Sequence, residues 1–452
     1  MRVGARRVIE PSGIEAPVDL AAVSAEPAAQ ASPARALRRF PPPALQVRPF
    51  RWYWLAQWPV LLGVWMQMVA LGYLVYRQTH SSTAVGVAAA AQGLPAVLLS
   101  LAGGVAADRV PRRRILLVTQ SVLGTSAATL AVLAATGHAT FAAIVVVAAV
   151  FGSADAVDLP TRQALVADLV DRELIVSAVA LGTVVMSATR IAGPSLAGVL
   201  IAWTGPAACF ATLALAYTVP LAVLALVIPD LPPAPRRAGS TALGEIGRAL
   251  STAARDRLVR PVLICVAVIS FLGVSYMPYL PVLAATRLHG GSTVLGILYS
   301  TGGIGGLVGG VALASLGRTA SRRPLLLGGA VLYACGLFTV SHTGALAVAL
   351  PALVLITLGF LAMNTSLTTW IQADTDPAMR GRLLGIYTML LAGLQPLGTL
   401  TYGLLAHVVP LFDAIGIGGL IVGAVGVLTA GSPAMRGASG VAPAVAAVDD
   451  PG

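Results

Sequence analysis

Gly104-Val-Ala-Ala-Asp108-Arg109-Val-Pro111-Arg112-Arg113-Arg114 is a charged island set between two long apolar runs, Ser81 to Ala107 and a second that begins at Ile115. A helix needs about 20 apolar residues to cross the hydrocarbon core, and a charge at its centre is costly. The island therefore reads as a short loop at a membrane face, flanked by two spanning helices.

Outward from the island the same alternation repeats along the chain. Single spans fit Trp52 to Tyr76, Ser81 to Ala107, Pro261 to Thr286, Leu288 to Gly317, Leu383 to Phe412 and Ala414 to Met435. Three longer runs hold two helices each, with breaks at Gly137-His138, Gly205-Pro206 and His342-Thr343-Gly344. They extend from Ile115 to about Pro160, from Leu174 to Pro229 and from Pro324 to Ala373. Twelve spans result, and the predicted fold class is an all-α integral membrane protein. A β-barrel is excluded, because barrel strands alternate over about ten residues and give no unbroken apolar runs of this length.

Composition agrees. The 452 residues are 57% hydrophobic and only 10% charged, with a mean hydropathy of +0.85, far from the roughly one-quarter charged content of soluble domains. All 29 basic residues are arginine. With both termini inside, 26 of the 29 arginines fall on the cytoplasmic side, the bias that orients membrane proteins. The exceptions are Arg77 and Arg287 near outer loops and Arg190 within a helix. The net charge of +11 is thus accounted for by orientation, and nucleic acid is not an expected partner.

The expected layout is a disordered cytoplasmic tail over 1–47, a six-helix bundle over 48–229, a Pro- and Arg-rich cytoplasmic linker over 230–260, a second six-helix bundle over 261–433 and a disordered tail over 434–452. The tail over 1–47 lacks the apolar core of a secretory signal. The halves echo each other, as in transporters built from repeated bundles. Arg112-Arg113-Arg114 after span 2 is matched by Arg322-Arg323 after span 8, and Gly193-Pro194 with Gly198 by Gln395-Pro396 with Gly398 and Gly403. Leu313 or Ala314 falls where a second Asp108 would stand.

The island resembles the loop 2–3 motif of the major facilitator superfamily: glycine, three residues, aspartate, a basic residue, then clustered basics. Pro111 stands where that family usually has glycine. The resemblance extends from Phe50 to about Leu428. Phe50-Arg51-Trp52-Tyr53-Trp54, Trp65-Met66-Gln67, Asp158-Leu-Pro160-Thr-Arg162-Gln163-Ala164-Leu165, Arg190-Ile-Ala-Gly193-Pro194 and Arg380-Gly381-Arg382 are similar to the enterobactin-exporter and macrolide-efflux branch. Gly182 and Ser187 stand where that branch often has asparagines. The resemblance implies export of a siderophore, antibiotic or similar metabolite by alternating access, in exchange for protons. Gly193, Pro194 and Gly198 are similar to the antiporter motif of span 5, where proline bends the helix. They also read as a packing kink with no bearing on direction.

Physically, Gly104 admits a close backbone neighbour, and Asp108, Arg109, Arg112, Arg113 and Arg114 form either a latch between the bundles or simple orienting charge. Asp155, Asp158 and Arg190 are the charges expected inside the membrane, where ionisable groups are functional candidates. Asp155 and Asp158 share a helical face, and a carboxylate in apolar surroundings takes up and releases a proton more readily. Asp155 is expected to couple protons against Arg190, or to form a static pair with it. Asp158 reads equally as an interfacial anchor. Trp65, Gln67, Gln92, Tyr276, Asn364, Tyr387 and Gln395 are candidates for lining a central cavity, with interhelical hydrogen bonding as the alternative for the amides.

No cofactor or metal is expected. The three cysteines, Cys209, Cys265 and Cys335, have no paired spacing, and His80, His138, His289, His342 and His407 mostly fall at predicted outer turns. Neither HExxH nor GxSxG occurs, which sets aside an intramembrane enzyme, and the missing Walker lysine disfavours an ATP-driven pump. An importer of a small nutrient on the same fold is the alternative to export. The expected partners are a small-molecule substrate, protons and the lipid bilayer, with the chain a monomer. Tags within 1–47 and within 434–452 are expected to react with impermeant reagents from the same membrane face; reaction from opposite faces would overturn the helix count.

Overall fold

The computed structural model describes residues 42–107, 110–230, 256–316, 321–375 and 377–436. Both predicted tails over most of their length, most of the linker, and Asp108 and Arg109 of the island lie outside the described residues. Twelve spanning segments follow one another. They are α1 (Arg48–Thr79), α2 (Ser82–Ala107), α3 (Arg112–Thr136), α4 (Phe141–Leu169), α5 (Ile175–Thr204) and α6 (Pro206–Leu226). The second half comprises α7 (Val259–Thr286), α8 (Ser292–Leu316), α9 (Arg322–His342), α10 (Leu346–Asp374), α11 in two pieces (Pro377–Gly393 and Gln395–Leu405) and α12 (Leu411–Gly431).

The three two-helix runs turn where their breaks predicted. Gly137 ends α3 with φ 75° and Gly205 ends α5 with φ 85°, the left-handed region that glycine enters without steric cost. Two boundaries differ from expectation: α11 runs from Pro377 to Leu405 and not from Leu383 to Phe412, so Arg380 and Arg382 fall within it, and α4 does not stop near Pro160 but continues to Leu169, with Pro160 inside it. Arg162 is therefore within the helix, not in a loop. Two carboxylates of α4 neutralise it there.

The connections alternate between two ends. The arginine-bearing end carries the junctions α2/α3, α4/α5, α6/α7, α8/α9 and α10/α11, and the opposite end carries the rest. Within each half equivalent helices pair, α3 with α6 and α9 with α12, α2 with α4 and α8 with α10. Side chains such as Val118, Val132, Val146 and Leu428 are exposed on the outside of this assembly. In a chain of this composition they form the lipid-facing surface.

The halves meet chiefly along two seams, α5 with α8 and α2 with α11. Both rest on paired glycines. A Cβ on Gly198 of α5 would lie 2.0 Å from Gly296 Cα of α8, and one on Gly86 of α2 would lie 3.3 Å from Gly403 Cα of α11. Helices 2 and 8 are equivalent in the two halves, as are 5 and 11, so the two seams are one contact repeated under the pseudo-symmetry. Each has a second point nearer the middle, Gly303 against Ile191 and Gly93 against Pro396. Small residues let backbones touch, the main source of helix association where lipid removes the hydrophobic drive. The Thr83 hydroxyl donates to the Gly403 carbonyl at 2.6 Å and lies 3.0 Å from His407 Nε2.

The Gly198/Gly296 and Gly86/Gly403 contacts lie toward the end opposite the arginines, as does the approach of Gly72 in α1 to Pro278 and Pro281 in α7. At the arginine-bearing end the first half keeps its own apolar cluster, including Phe50, Tyr53, Leu116, Leu165 and Leu224, without a residue of the second half. Among the described residues the closest approaches of the halves thus gather toward the end opposite the arginines. Gly198→Leu is expected to part α5 from α8 and open the sealed end. In a background lacking Cys335, labelling of Leu298→Cys by impermeant maleimide from the face opposite the arginines should rise about tenfold, the shift that roughly 1.4 kcal/mol of lost seam energy gives. An unchanged rate in correctly inserted protein would show that the glycine contact is not the seal.

Candidate functional site

Span α7 is not a continuous α-helix. It passes from α-helix (Val259–Val268) through a π turn (Ile269–Gly273) and a 3-10 turn (Val274–Tyr279) back to α-helix (Leu280–Thr286). Pro278 and Pro281 remove backbone donors within or just after the irregular stretch. Broken helices at membrane depth need other groups to engage their backbone, and α11 supplies them. Tyr402 donates its hydroxyl to the Leu272 carbonyl at 2.9 Å, while Ser270, Ser275 and Tyr279 donate to the α11 carbonyls of Leu391, Gln395 and Thr399 at 2.8, 3.0 and 2.6 Å. The 3-10 turn presents Val274, Tyr276 and Met277 to a central cavity of about 470 Å³.

That volume lies within the roughly 300–1,000 Å³ of small-molecule sites. The cavity sits between the halves at mid-height, with Trp65 from α1, Arg190 from α5, Tyr299 from α8 and Phe360 from α10 among its walls. Along α8 it runs from Leu298 past Gly302 and Gly306 to Gly310 and Val311, toward the arginine-bearing end. These glycines provide room on that side of α8: a side chain at Gly310 would meet nothing within 4 Å.

Of the seven predicted cavity residues, Trp65 and Tyr276 line this space. Gln67, Gln92, Asn364, Tyr387 and Gln395 do not. Gln67 is fully buried and Tyr387 nearly so. The carbonyl of Gln92 packs against Gly152, and that of Gln395 accepts from Ser275. Both contacts are of the main chain and lie within one half, Gln92 of α2 against α4 and Gln395 of α11 against α7. Tyr299, Tyr333 and Phe360 were not singled out from sequence, because aromatic residues in apolar spans give no signal of which face they take.

Arg190 lies in the cavity, its guanidinium 5.7 Å from the ring centres of both Trp65 and Phe360. This corrects the expected pairing of Arg190 with Asp155. The ion-pair partner of Asp155 is Arg162, at 3.6 Å, and Arg162 also holds Asp158 at 2.6 Å, one helical turn away on α4. The Thr119 hydroxyl of α3 donates to Asp158 Oδ1 at 2.7 Å, and Arg162 donates to Gln57 Oε1 of α1 at 3.2 Å. The Tyr53 and Tyr217 hydroxyls are within electrostatic range of the same guanidinium. Asp158 is wholly buried, whereas the Asp155 side chain retains 37% exposure. The Asp158/Arg162 spacing of four was a legible sign of this pair.

The arginines of the island pair inside their own half. Arg112 forms a salt bridge with Asp168 at the end of α4. Arg113 donates to the Leu224 and Ala225 carbonyls at 2.6 and 2.8 Å, a cation on the negative end of α6. Arg114 reaches Asp230 at 3.5 Å. Among the described residues no salt bridge runs from one half to the other, so these three arginines do not join the bundles in this conformation. In the second half Arg322 pairs with Asp374, start of α9 to end of α10, the counterpart of Arg112 with Asp168. Gly104 lies in the last turns of α2. Gly193 backs onto Trp65 and Leu62 of α1, Gly198 forms the α5/α8 seam, and Pro194 sits inside an unbroken α5 and borders the cavity.

Comparison with known proteins places this architecture. Residues 40–441 match the family described as transmembrane secretion effector. The chain is 25% identical to the staphyloferrin A transporter of Staphylococcus aureus over 377 residues, 82% of this chain and 92% of that one. It is 26% identical to the enterobactin exporter EntS of Shigella flexneri over 381 residues, 83% and 90% of the two chains. Among solved structures, the nucleoside transporter NupG superposes with a TM-score of 0.63 at 13% identity over 86% of this chain and 98% of that one. A D-xylose–proton symporter gives 0.62 at 16% identity over 85% and 99%, likenesses that speak to the fold. Twelve spans in two equivalent halves around a central cavity, with a family match over nearly the whole membrane region, show that this chain belongs to the transmembrane secretion effector family of major facilitator transporters.

Proposed function

We propose that the protein exports a small organic molecule across the cytoplasmic membrane by alternating access, driven by proton antiport. The observation that carries this reading is the central cavity, shut at one end by the two glycine seams and extending toward the other. By the arginine bias the open end is cytoplasmic, so the conformation is the one that loads cargo from inside. Both termini are then cytoplasmic, and the units that rock are residues 48–229 and 261–433, joined by the linker 230–260. The names of two relatives, an enterobactin exporter and a staphyloferrin A transporter, support a siderophore or similar metabolite as cargo.

The α4 cluster is the proposed proton site. One guanidinium faces two carboxylates, so the group carries one negative charge when both are ionised and has room for one exchangeable proton. Asp158 is sealed in by Arg162 and Thr119, leaving the half-exposed Asp155 to exchange. Protonation at Asp155 leaves Arg162 to Asp158 alone and alters the charge of the group that Thr119 and Gln57 tie to α3 and α1. The Gly104 to Arg114 island is proposed to latch the halves when the cytoplasmic end closes. Arg112 is already half committed to Asp168.

Export is tested by loading cells with and without the protein and measuring retention of labelled siderophore-type metabolites; greater accumulation in expressing cells would reverse the direction. In proteoliposomes, Asp155→Asn is expected to abolish pH-gradient-driven efflux while retaining downhill counterflow; full gradient-driven efflux would remove Asp155 from coupling. Asp158→Asn is expected to destabilise the detergent-solubilised protein by about 3 kcal/mol, the low end for an uncompensated buried charge because Asp155 remains beside Arg162. Thermal unfolding measures it, and an unchanged midpoint would show that the pair does not hold α4.

A further inference from the structure

Arg190 is a cation at mid-height in the membrane with no anion beside it. Among the described residues its guanidinium takes part in no salt bridge or hydrogen bond, and no Asp or Glu lines the cavity. The contacts it has are ring faces, Trp65 from the first half and Phe360 from the second, each 5.7 Å away. Arg190 is exposed to the cavity, and contact with the ring faces leaves its five N–H donors uncommitted. A guanidinium stays charged at any physiological pH, and a charge held in an apolar wall strongly favours a counter-ion that can also use its donors.

The rest of the wall fixes what that counter-ion is attached to. Leu280, Leu298, Ile356 and Leu361 are apolar, and Tyr276, Tyr299 and Tyr333 add flat aromatic surface. The Tyr299 hydroxyl is already spent on the Met277 carbonyl at 3.0 Å, so its ring serves mainly as surface. Deepening the transport reading above, on which this rests, we propose that the central cavity selects organic anions: a carboxylate or comparable oxyanion gripped by Arg190, with an aromatic or apolar body against Trp65, Phe360 and the tyrosines. Amine cations of the same shape are rejected, because Arg190 repels them and the wall holds no carboxylate to receive them. Arg190 touches aromatic groups of both halves, so a bound anion lies on the interface that must open and close. Its release at the other face requires Trp65 and Phe360 to part.

The test is equilibrium binding to the full-length protein in nanodiscs, followed by calorimetry, with 2-naphthoate, its neutral isostere 2-naphthamide and the cation 2-naphthylmethylammonium. Naphthoate is expected to bind roughly tenfold to hundredfold more tightly than the amide, the range for a charge-assisted bidentate pair, and the ammonium more weakly than both. Arg190→Gln should bring naphthoate down to the level of the amide and leave the amide unchanged, while Arg190→Lys keeps part of the preference. Equal binding of naphthoate and naphthamide by the wild type, no binding of naphthoate, or an intact preference in Arg190→Gln would each overturn the proposal. The wild-type comparison stands even if a variant fails to fold. Binding needs neither gradient nor direction. Loss of the anion preference with efflux intact therefore overturns this inference alone, and failed efflux with the preference intact overturns the transport cycle alone.

Discussion

Backbone contact between glycines of opposite halves is the constraint on which the structure turns. At Gly198 and Gly296 the chains approach so closely that a methyl group on either would collide with the other helix. Gly86 and Gly403 repeat the arrangement on the other side of the pseudo-axis. In lipid there is no hydrophobic force to hold two apolar bundles together, so the halves adhere where dispersion between close surfaces is strongest. Because these contacts lie toward one end, the same interactions that join the halves also seal that end and leave the other free to open.

The charges are partitioned by this geometry. In the first half an arginine and two aspartates of α4 satisfy one another beneath α1 and α3, held by Thr119 and Gln57. Arg190 stands apart, on the cavity side of α5, with rings for neighbours. Arg162 has two carboxylates beside it within α4, and Arg190 has none among the described residues. In the proposed cycle the proton and the cargo therefore use different groups, with α4 packed on α2 and α5 on α8.

The irregular stretch of α7 connects these features. Its 3-10 turn carries residues that build one wall of the cavity, and the irregular stretch is tied to α11 by four hydrogen bonds, one from Tyr402 to the Leu272 carbonyl and three from Ser270, Ser275 and Tyr279 to α11 carbonyls. Motion at the α2/α11 seam is therefore transmitted to the cavity wall, since α11 is the partner of both. Discontinuous helices at mid-membrane are where transporters of several folds place their sites, and the physical reason applies here: freed backbone needs partners, and those partners are movable.

Much of this protein was legible in its residues. Apolar run length fixed the number of spans, Gly137 and Gly205 marked two of the hairpin turns, and arginine placement distinguished the two ends, because the bilayer reads these properties locally and residue by residue. The halves' equivalence showed in Arg112 and Arg322, although their partners Asp168 and Asp374 became apparent only once α4 and α10 were seen to run to their full length. Helical spacing could have paired Asp158 with Arg162, yet the expectation went to Arg190, and five of seven predicted cavity residues belong elsewhere. Which face of a helix meets lipid, seam or cavity depends on how twelve nearly uniform apolar rods are rotated about their axes. That rotation is set by glycine contacts between segments distant in sequence, such as Gly198 with Gly296 and Gly86 with Gly403, so only the tertiary structure decided it.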